Sequence, residues 1–335
     1  INAIDATTQP LTRYAYVCDL KLFFTFLTEE LPRFAGKPAA ALEASDLGKV
    51  TSRDIYMYLD YLGLYIKNDV EITNADLGKM RKLSSLRSFY KFLYKNGYID
   101  ADPAALVDMP KRHEKPIIRL DSEEVETMLD KADSGADLTK AQLRFHEKTR
   151  LRDVAILTLL LGTGIRVSEC VGLDLDDIDF KEKGLRVHRK GGYEAIVYFG
   201  DEVEEALQDY LEARRQILPK EGHEKALFLS LQNRRITVRA VENLVRKYAG
   251  LATSLKKITP HKLRSTYGTS LYRATGDIYL VADVLGHKDV NTTRKHYAAV
   301  EEDRRRGARN AVQLRSPAED RDTAKPSKPD SDGPA

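Results

Sequence analysis

Cysteine is scarce in this chain: Cys18 and Cys170 are the only two among 335 residues. Two cysteines so far apart give neither a zinc-binding nor a redox spacing. Both lie in apolar stretches with helical periodicity, so buried, reduced thiols and a cytoplasmic setting are expected. Long apolar runs are missing as well. No stretch reaches the roughly 20 residues that a membrane-spanning helix needs, and the N-terminus carries no secretory pattern. No membrane partner is expected. A glycine-rich phosphate loop is absent, which leaves ATP use unsupported. No cluster of carboxylates has metal-ligand spacing, which disfavours a two-metal nuclease. No metal and no cofactor are expected.

Charge is plentiful, and its distribution is uneven. The net charge is only +3. Between Asn74 and Lys95, however, six basic residues (Lys79, Arg81, Lys82, Arg87, Lys91, Lys95) face a single acid, Asp76. Between Arg234 and Arg273 ten basic residues, Arg239 among them, face only Glu242. Two basic surfaces of this kind suit a polyanion. Taken singly, either run also reads as a solvated helix face.

The length allows two domains with real cores. From Leu11 to about Met109 the pattern is helical, with Leu11, Tyr14, Cys18, Leu22 and Phe26 at three- and four-residue steps. Asp54 to Ile66 reads as another helix. A third is expected from Asn74 or Asp76 to Lys95, ended by Gly97. Its apolar stripe (Leu83, Leu86, Tyr90, Leu93) lies beside a basic one (Arg87, Lys91, Lys95), which is what a helix along DNA phosphates needs. Lys79 and Lys82 extend that basic set. The prolines and charges of Pro103 to Pro116 read as a linker. Residues 132–149 are polar and read as an insertion, followed by a buried helix from Leu151 to Leu161. Leu185–His188 and Ala195–Phe199 read as a hairpin around Lys190-Gly191-Gly192. Helices are expected at 201–216, 238–250, 261–274, 277–285 and 292–311. The fold class is therefore mainly α with one small antiparallel sheet. The boundaries are a helical domain at 1–109, a linker at 110–119, a second domain at 120–315 and a disordered tail at 316–335.

The second domain holds the residues with chemical potential. Gly162-Thr163-Gly164-Ile165-Arg166 makes a tight turn after the buried helix, and a guanidinium presented there matches two phosphate oxygens. Glu169 is placed to orient Arg166 from behind. Lys190 at a hairpin tip can give a proton to a leaving oxygen, with Arg189 a competing basic residue. His261 and Arg264, three apart at a helix start, share one face. His287 ends a helix and can donate to a phosphate oxygen. Tyr297 is a poor nucleophile until its proton leaves, and cationic neighbours favour that ionised form. Each piece alone has an ordinary structural reading: a salt bridge, a turn lysine, a surface histidine, a packed tyrosine. The ordered set of six is much more specific.

In the segments TGIRVSE, RKGG, TPHKLRST, LGHKDVNTT and KHY the chain resembles the tyrosine recombinases, a family of phage integrase, Cre-like and Xer-like enzymes. The resemblance covers about Leu11 to Arg315. It implies a helical core-binding domain and a catalytic domain that close as a C-shaped clamp on DNA. It implies that Arg166 and Arg264 bind the scissile phosphate, Lys190 is the general acid for the 5′-oxygen, His261 assists proton transfer, His287 supports the phosphate and Tyr297 is the nucleophile. Lys79, Lys82, Arg87, Lys91, Lys95, Arg189 and Arg239 are expected on DNA. Double-stranded DNA with inverted-repeat core sites, a homotetramer on two such sites and an accessory directionality protein are the implied partners. Energy kept in a 3′-phosphotyrosine bond, passed on through a Holliday junction, removes any need for ATP or metal. His287 and Tyr297 are ten apart where many members have nine, and His296 fills the nine position. Ser265 stands where members often carry His. The short N-terminal domain and the RKGG and TPHKLR segments look like Xer recombinases that resolve chromosome dimers; an integrase of a mobile element is the near alternative. A type IB topoisomerase or a non-catalytic DNA-binding protein on the same scaffold are the others.

Overall fold

The computed structural model describes residues 10–67, 69–111, 118–189 and 192–287. The expectations for Lys190, Tyr297, a helix at 292–311 and the tail lie outside these residues. The chain divides into two compact units, 1–115 and 116–335.

The first described element of the first unit is α1 (Pro10–Glu30). After two 3-10 turns come α2 (Ala44–Leu47), α3 (Ser52–Tyr61), a hairpin of β1 (Tyr65–Lys67) and β2 (Val70–Ile72), and α4 (Asp76–Lys95). Aromatic rings fill its centre. Phe23 meets Tyr58 edge-on at 5.0 Å, and Phe26 lies 5.3 Å from the same ring. Burying each such ring contributes about 1.5–3 kcal/mol.

The buried face of α1 matches the one its periodicity suggested only in its second half, at Leu22 and Phe26. Asp19, Phe23, Phe26 and Leu27 point inward, whereas Leu11 and Tyr14 are 82% and 70% exposed. The run from Leu20 to Leu27 is apolar at almost every position, so periodicity could not choose a face. A buried polar anchor chooses it instead: Asp19 accepts from the Arg81 fork at 2.6 Å and from Ser85 Oγ at 2.8 Å. Cys18 is consequently exposed, against expectation, while Cys170 is buried, which pushes its thiol up to about 12. A maleimide probe is therefore expected to label Cys18 of the native protein within minutes and Cys170 only after denaturation. Two labels on folded protein would contradict this burial.

Two further expectations fail in this unit. The helix predicted to run to Ile66 stops at Tyr61, and Tyr65 pairs with Ile72 across a hairpin. Asp69, at φ +59°, takes the left-handed turn position that Asp tolerates. The proline-rich stretch from Pro103 is not linker at its start. Ala104 and Val107 are fully buried in this core.

The second unit contains α5 (Ser122–Ser134), α6 (Lys140–Thr163), α7 (Val167–Gly172), β3 (Ile178–Asp179), β4 (Gly184–Arg189), β5 (Tyr193–Tyr198), α8 (Asp201–Arg215), α9 (Val238–Ala252), α10 (Pro260–Thr275) and α11 (Ile278–Leu285). The strands form one antiparallel sheet in the order β3-β4-β5. Among the described residues the protein is thus mainly helical with two small antiparallel sheets, one more than expected. The polar stretch 132–149 is largely helical: α5 runs to Ser134 and α6 begins at Lys140, with Thr139 as its cap. Its polar side chains are used inside. His146 Nε2 lies 3.0 Å from the Ala132 carbonyl. Asp153, also buried, gathers Thr149, Arg152, Lys247 and Tyr248. Such a satisfied network lets a polar sequence sit in a core.

Candidate active site

Three chain segments bring the candidate residues of the second unit together. The first is the turn after α6. Gly164 ends that helix at φ +63°, where a Cβ would come within 2.4 Å of the Tyr267 ring. Two residues on, Arg166 caps α7. Its backbone N–H donates to Glu169 Oε2 at 2.8 Å, and its Nη1 donates to Glu169 Oε1 at 2.7 Å. Glu169 is buried, so it holds the arginine from behind.

The second segment is α10. Pro260 fits its first turn, where no backbone donor is needed. His261 is exposed in that turn, and Arg264 lies one turn on, 6% exposed. The Arg264 Nη1 donates to the Gly164 carbonyl at 2.6 Å, and Nη2 donates to the Leu285 carbonyl. The second arginine thus bridges the turn after α6 and the end of α11.

The third segment is that helix end. Gly286 closes α11 at φ +60°, and the His287 N–H donates back to the Ala282 carbonyl at 2.9 Å. Three guanidinium groups converge here. Arg189 donates to the carbonyl of Val284 at 2.9 Å, Arg264 to that of Leu285, and Arg166 to that of Gly286 at 3.4 Å. The carbonyl end of a helix carries about half a negative charge, which favours cations. The outcome is a cluster of positive charge around the turn that presents His287. An arriving phosphate would meet preset donors, which is the condition for electrostatic stabilisation.

Arg166, Arg264, Arg189 and His287 are therefore brought to one place, with His261 one helical turn from Arg264. Arg189 was expected on DNA, and its guanidinium is engaged with the Val284 carbonyl. Two other residues expected on DNA also have partners within their own unit. Lys82 is buried and donates to Asn74 Oδ1 at 2.8 Å. Arg87 donates to the carbonyls of Ala104 and Val107, tying down the end of the first unit's core. Lys91 and Lys95 are exposed and Lys79 is half-buried. Arg239 is exposed and pairs with Glu242 at 3.2 Å. Sequence reasoning missed the buried roles because a basic side chain at a helical step gives no sign of which neighbour it will find.

Several tyrosines are unsuited to attack a phosphate. Burial raises the phenol pKa of Tyr58, Tyr90, Tyr210, Tyr248 and Tyr267, the last packed against Gly164. Among the described residues no group of three metal-ligating side chains could hold an ion. No helix among them is long and apolar enough to cross a membrane.

The model of the phage integrase family matches residues 118–304, more than half of the chain. The chain belongs to the phage integrase family. This recombinase is 37% identical over 297 residues to the tyrosine recombinase XerC of Caldanaerobacter subterraneus subsp. tengcongensis, covering 85% of this chain and 77% of that protein. It is 32% identical over 251 residues to the tyrosine recombinase XerD of Oceanobacillus iheyensis, covering 74% and 80% of the two chains. Its fold resembles the XerH site-specific recombinase bound to a palindromic difH substrate, with TM-score 0.61 and 20% identity over 84% of this chain and 76% of that one. It also resembles a lambda integrase dimer bound to a core site, with TM-score 0.60 and 17% identity over 86% and 92%. The recombinase is an enzyme of site-specific DNA recombination.

Proposed function

We propose that the recombinase cuts and rejoins DNA at Tyr297. The Tyr297 oxygen attacks the scissile phosphorus, and the bond to the 5′-oxygen breaks. Lys190 gives that oxygen its proton. The strand end remains on the enzyme as a 3′-phosphotyrosine until the 5′-hydroxyl of a partner strand attacks and frees the tyrosine. Energy is conserved in the ester, so exchange through a Holliday junction needs no ATP. Arg166 and Arg264 hold the two non-bridging oxygens. His287 donates to the same phosphate, and His261 accepts the proton that Tyr297 loses on attack and returns it when the tyrosine is freed. The observation that carries this reading is the convergence of the Arg166 and Arg264 forks on the single turn that presents His287.

The working assembly on this reading is a homotetramer on two inverted-repeat sites in the cytoplasm, with an accessory directionality protein where direction is imposed. Lys79, Lys91, Lys95 and Arg239 are the DNA contacts that remain available to it. The biological task we favour is resolution of chromosome dimers, supported by 37% identity with a XerC recombinase.

The test uses a pool of duplexes nicked beside a randomised inverted repeat, incubated with the full chain in excess EDTA. An SDS-stable adduct is expected, with DNA joined through its 3′-phosphate and a free 5′-hydroxyl on the released strand. An adduct through a 5′-phosphate, or none despite binding, would overturn the reading. A captured sequence present once in the source chromosome supports dimer resolution; one found at the ends of a mobile element reassigns the enzyme to integration.

A further inference from the structure

Arg189 stands where the sheet would place an apolar side chain. In β4 the inward positions alternate: Leu185 and Val187 are buried, while Arg186 and His188 are exposed. Arg189 is the next inward position in that period of two. A guanidinium turned inward needs partners, and Arg189 finds them at the end of α11. Its Nη2 donates to the Val284 carbonyl at 2.9 Å. Its planar group lies against Gly286: a Cβ there would come within 2.2 Å of Nη1 and 2.6 Å of the guanidinium carbon. Any side chain there would push the guanidinium from its place. The Arg189 Nε is sealed from solvent and has no hydrogen-bond partner among the described residues. A buried donor without an acceptor opposes this placement, so the contacts with Val284 and Gly286 must outweigh it.

The position matters because of what adjoins it on both sides. Arg189 is the last residue of β4, and Lys190 follows it in sequence. The carbonyl it grips is one of three consecutive carbonyls, and the next two are held by Arg264 and Arg166. We infer that Arg189 is a positioning residue for proton delivery: it pins the end of β4 to the turn that the two phosphate-binding arginines also grip. The strand that leads into Lys190 is thereby set in register with the phosphate site. Arg189 touches neither DNA nor the reacting atoms in this role. The inference rests on the reading of Lys190 as the general acid.

The test compares two nicked duplexes carrying a site that the wild-type chain cleaves. One is ordinary DNA. In the other, sulfur replaces the bridging 5′-oxygen at the scissile phosphate. A thiolate leaves without help from an acid, because a thiol ionises near pH 8.5. Arg189→Ala is expected to slow single-turnover cleavage of ordinary DNA by about 100-fold, the scale of a general acid displaced by an ångström. On the sulfur substrate it should cleave within about 3-fold of wild type, with unchanged DNA affinity. Equal losses on both substrates would overturn the inference, since a merely structural defect harms both alike. Weakened binding with a normal rate would also overturn it, making Arg189 a DNA contact. Arg189→Lys keeps the charge and one donor, and it decides the matter if the alanine variant fails to fold: about 10-fold slower on ordinary DNA and restored by sulfur, or equally impaired on both. Lys190→Ala is run beside it. If sulfur does not restore Lys190→Ala while wild type and Arg189→Ala cleave, the reading of Lys190 as the general acid fails and the Arg189 inference falls with it; if Lys190→Ala is restored and Arg189→Ala is not, only the Arg189 inference falls.

Discussion

Tyr297→Phe is expected to abolish the covalent protein–DNA adduct, lowering its rate of formation by at least about 10⁴-fold, as removal of a nucleophile does. DNA affinity should stay within about 2-fold, because one hydroxyl is a small part of an interface dominated by phosphate contacts. Burial removes several of the tyrosines that could replace it. Burial disfavours ionisation of Tyr58, Tyr90, Tyr210, Tyr248 and Tyr267, and Tyr267 has its ring against Gly164 rather than open to an arriving phosphate. His296, one residue earlier, would form a phosphoramidate that acid cleaves. The measurement is adduct yield on a nicked duplex, with His296→Ala as the companion variant. If Tyr297→Phe still forms the adduct and His296→Ala does not, the nucleophile is the histidine. A pure DNA-binding protein would show no adduct in any variant.

Arg264→Ala should carry the second largest effect, and it should act twice. Arg264 is buried and bonds the carbonyls of Gly164 and Leu285, which belong to segments far apart in sequence. Truncation leaves both carbonyls without that donor, at a cost of about 2–4 kcal/mol. It also removes a preset donor to the phosphate, worth about 10²–10³-fold in the cleavage step. Arg264→Lys can serve one carbonyl but lacks the fork, so it should recover part of the stability and little of the rate. Chemical denaturation and single-turnover cleavage, both well below the melting temperature, separate the two effects. A variant as stable as wild type that cleaves within a few-fold of it would show that the bridge is incidental.

Arg166 differs from Arg264 in how it is held. Glu169 grips it through both backbone and side chain within one helical turn. That local pairing was legible in the sequence, because residues three apart on a helix start meet each other whatever the rest of the chain does. The partners of Arg264 are 100 and 21 residues away, and no local rule reaches them.

The same division runs through the fold. Helices α4, α8, α9 and α10 could be read to within a few residues, since their apolar periods, caps and stops are local. The β4–β5 hairpin was also legible, for the same reason. The class of chemistry was legible too, because phosphate-gripping and attacking side chains recur in a fixed order along the chain. Tertiary structure alone decided which face of α1 turns inward, because Asp19 must meet Arg81 and Ser85. It alone let the polar stretch 140–149 join a buried helix, by satisfying His146 and Asp153 inside. It also gave Lys82, Arg87 and Arg189 hydrogen-bond partners inside their own units. A basic side chain carries the same charge in sequence wherever it points. Only the folded chain shows whether a carbonyl, an amide or solvent receives it.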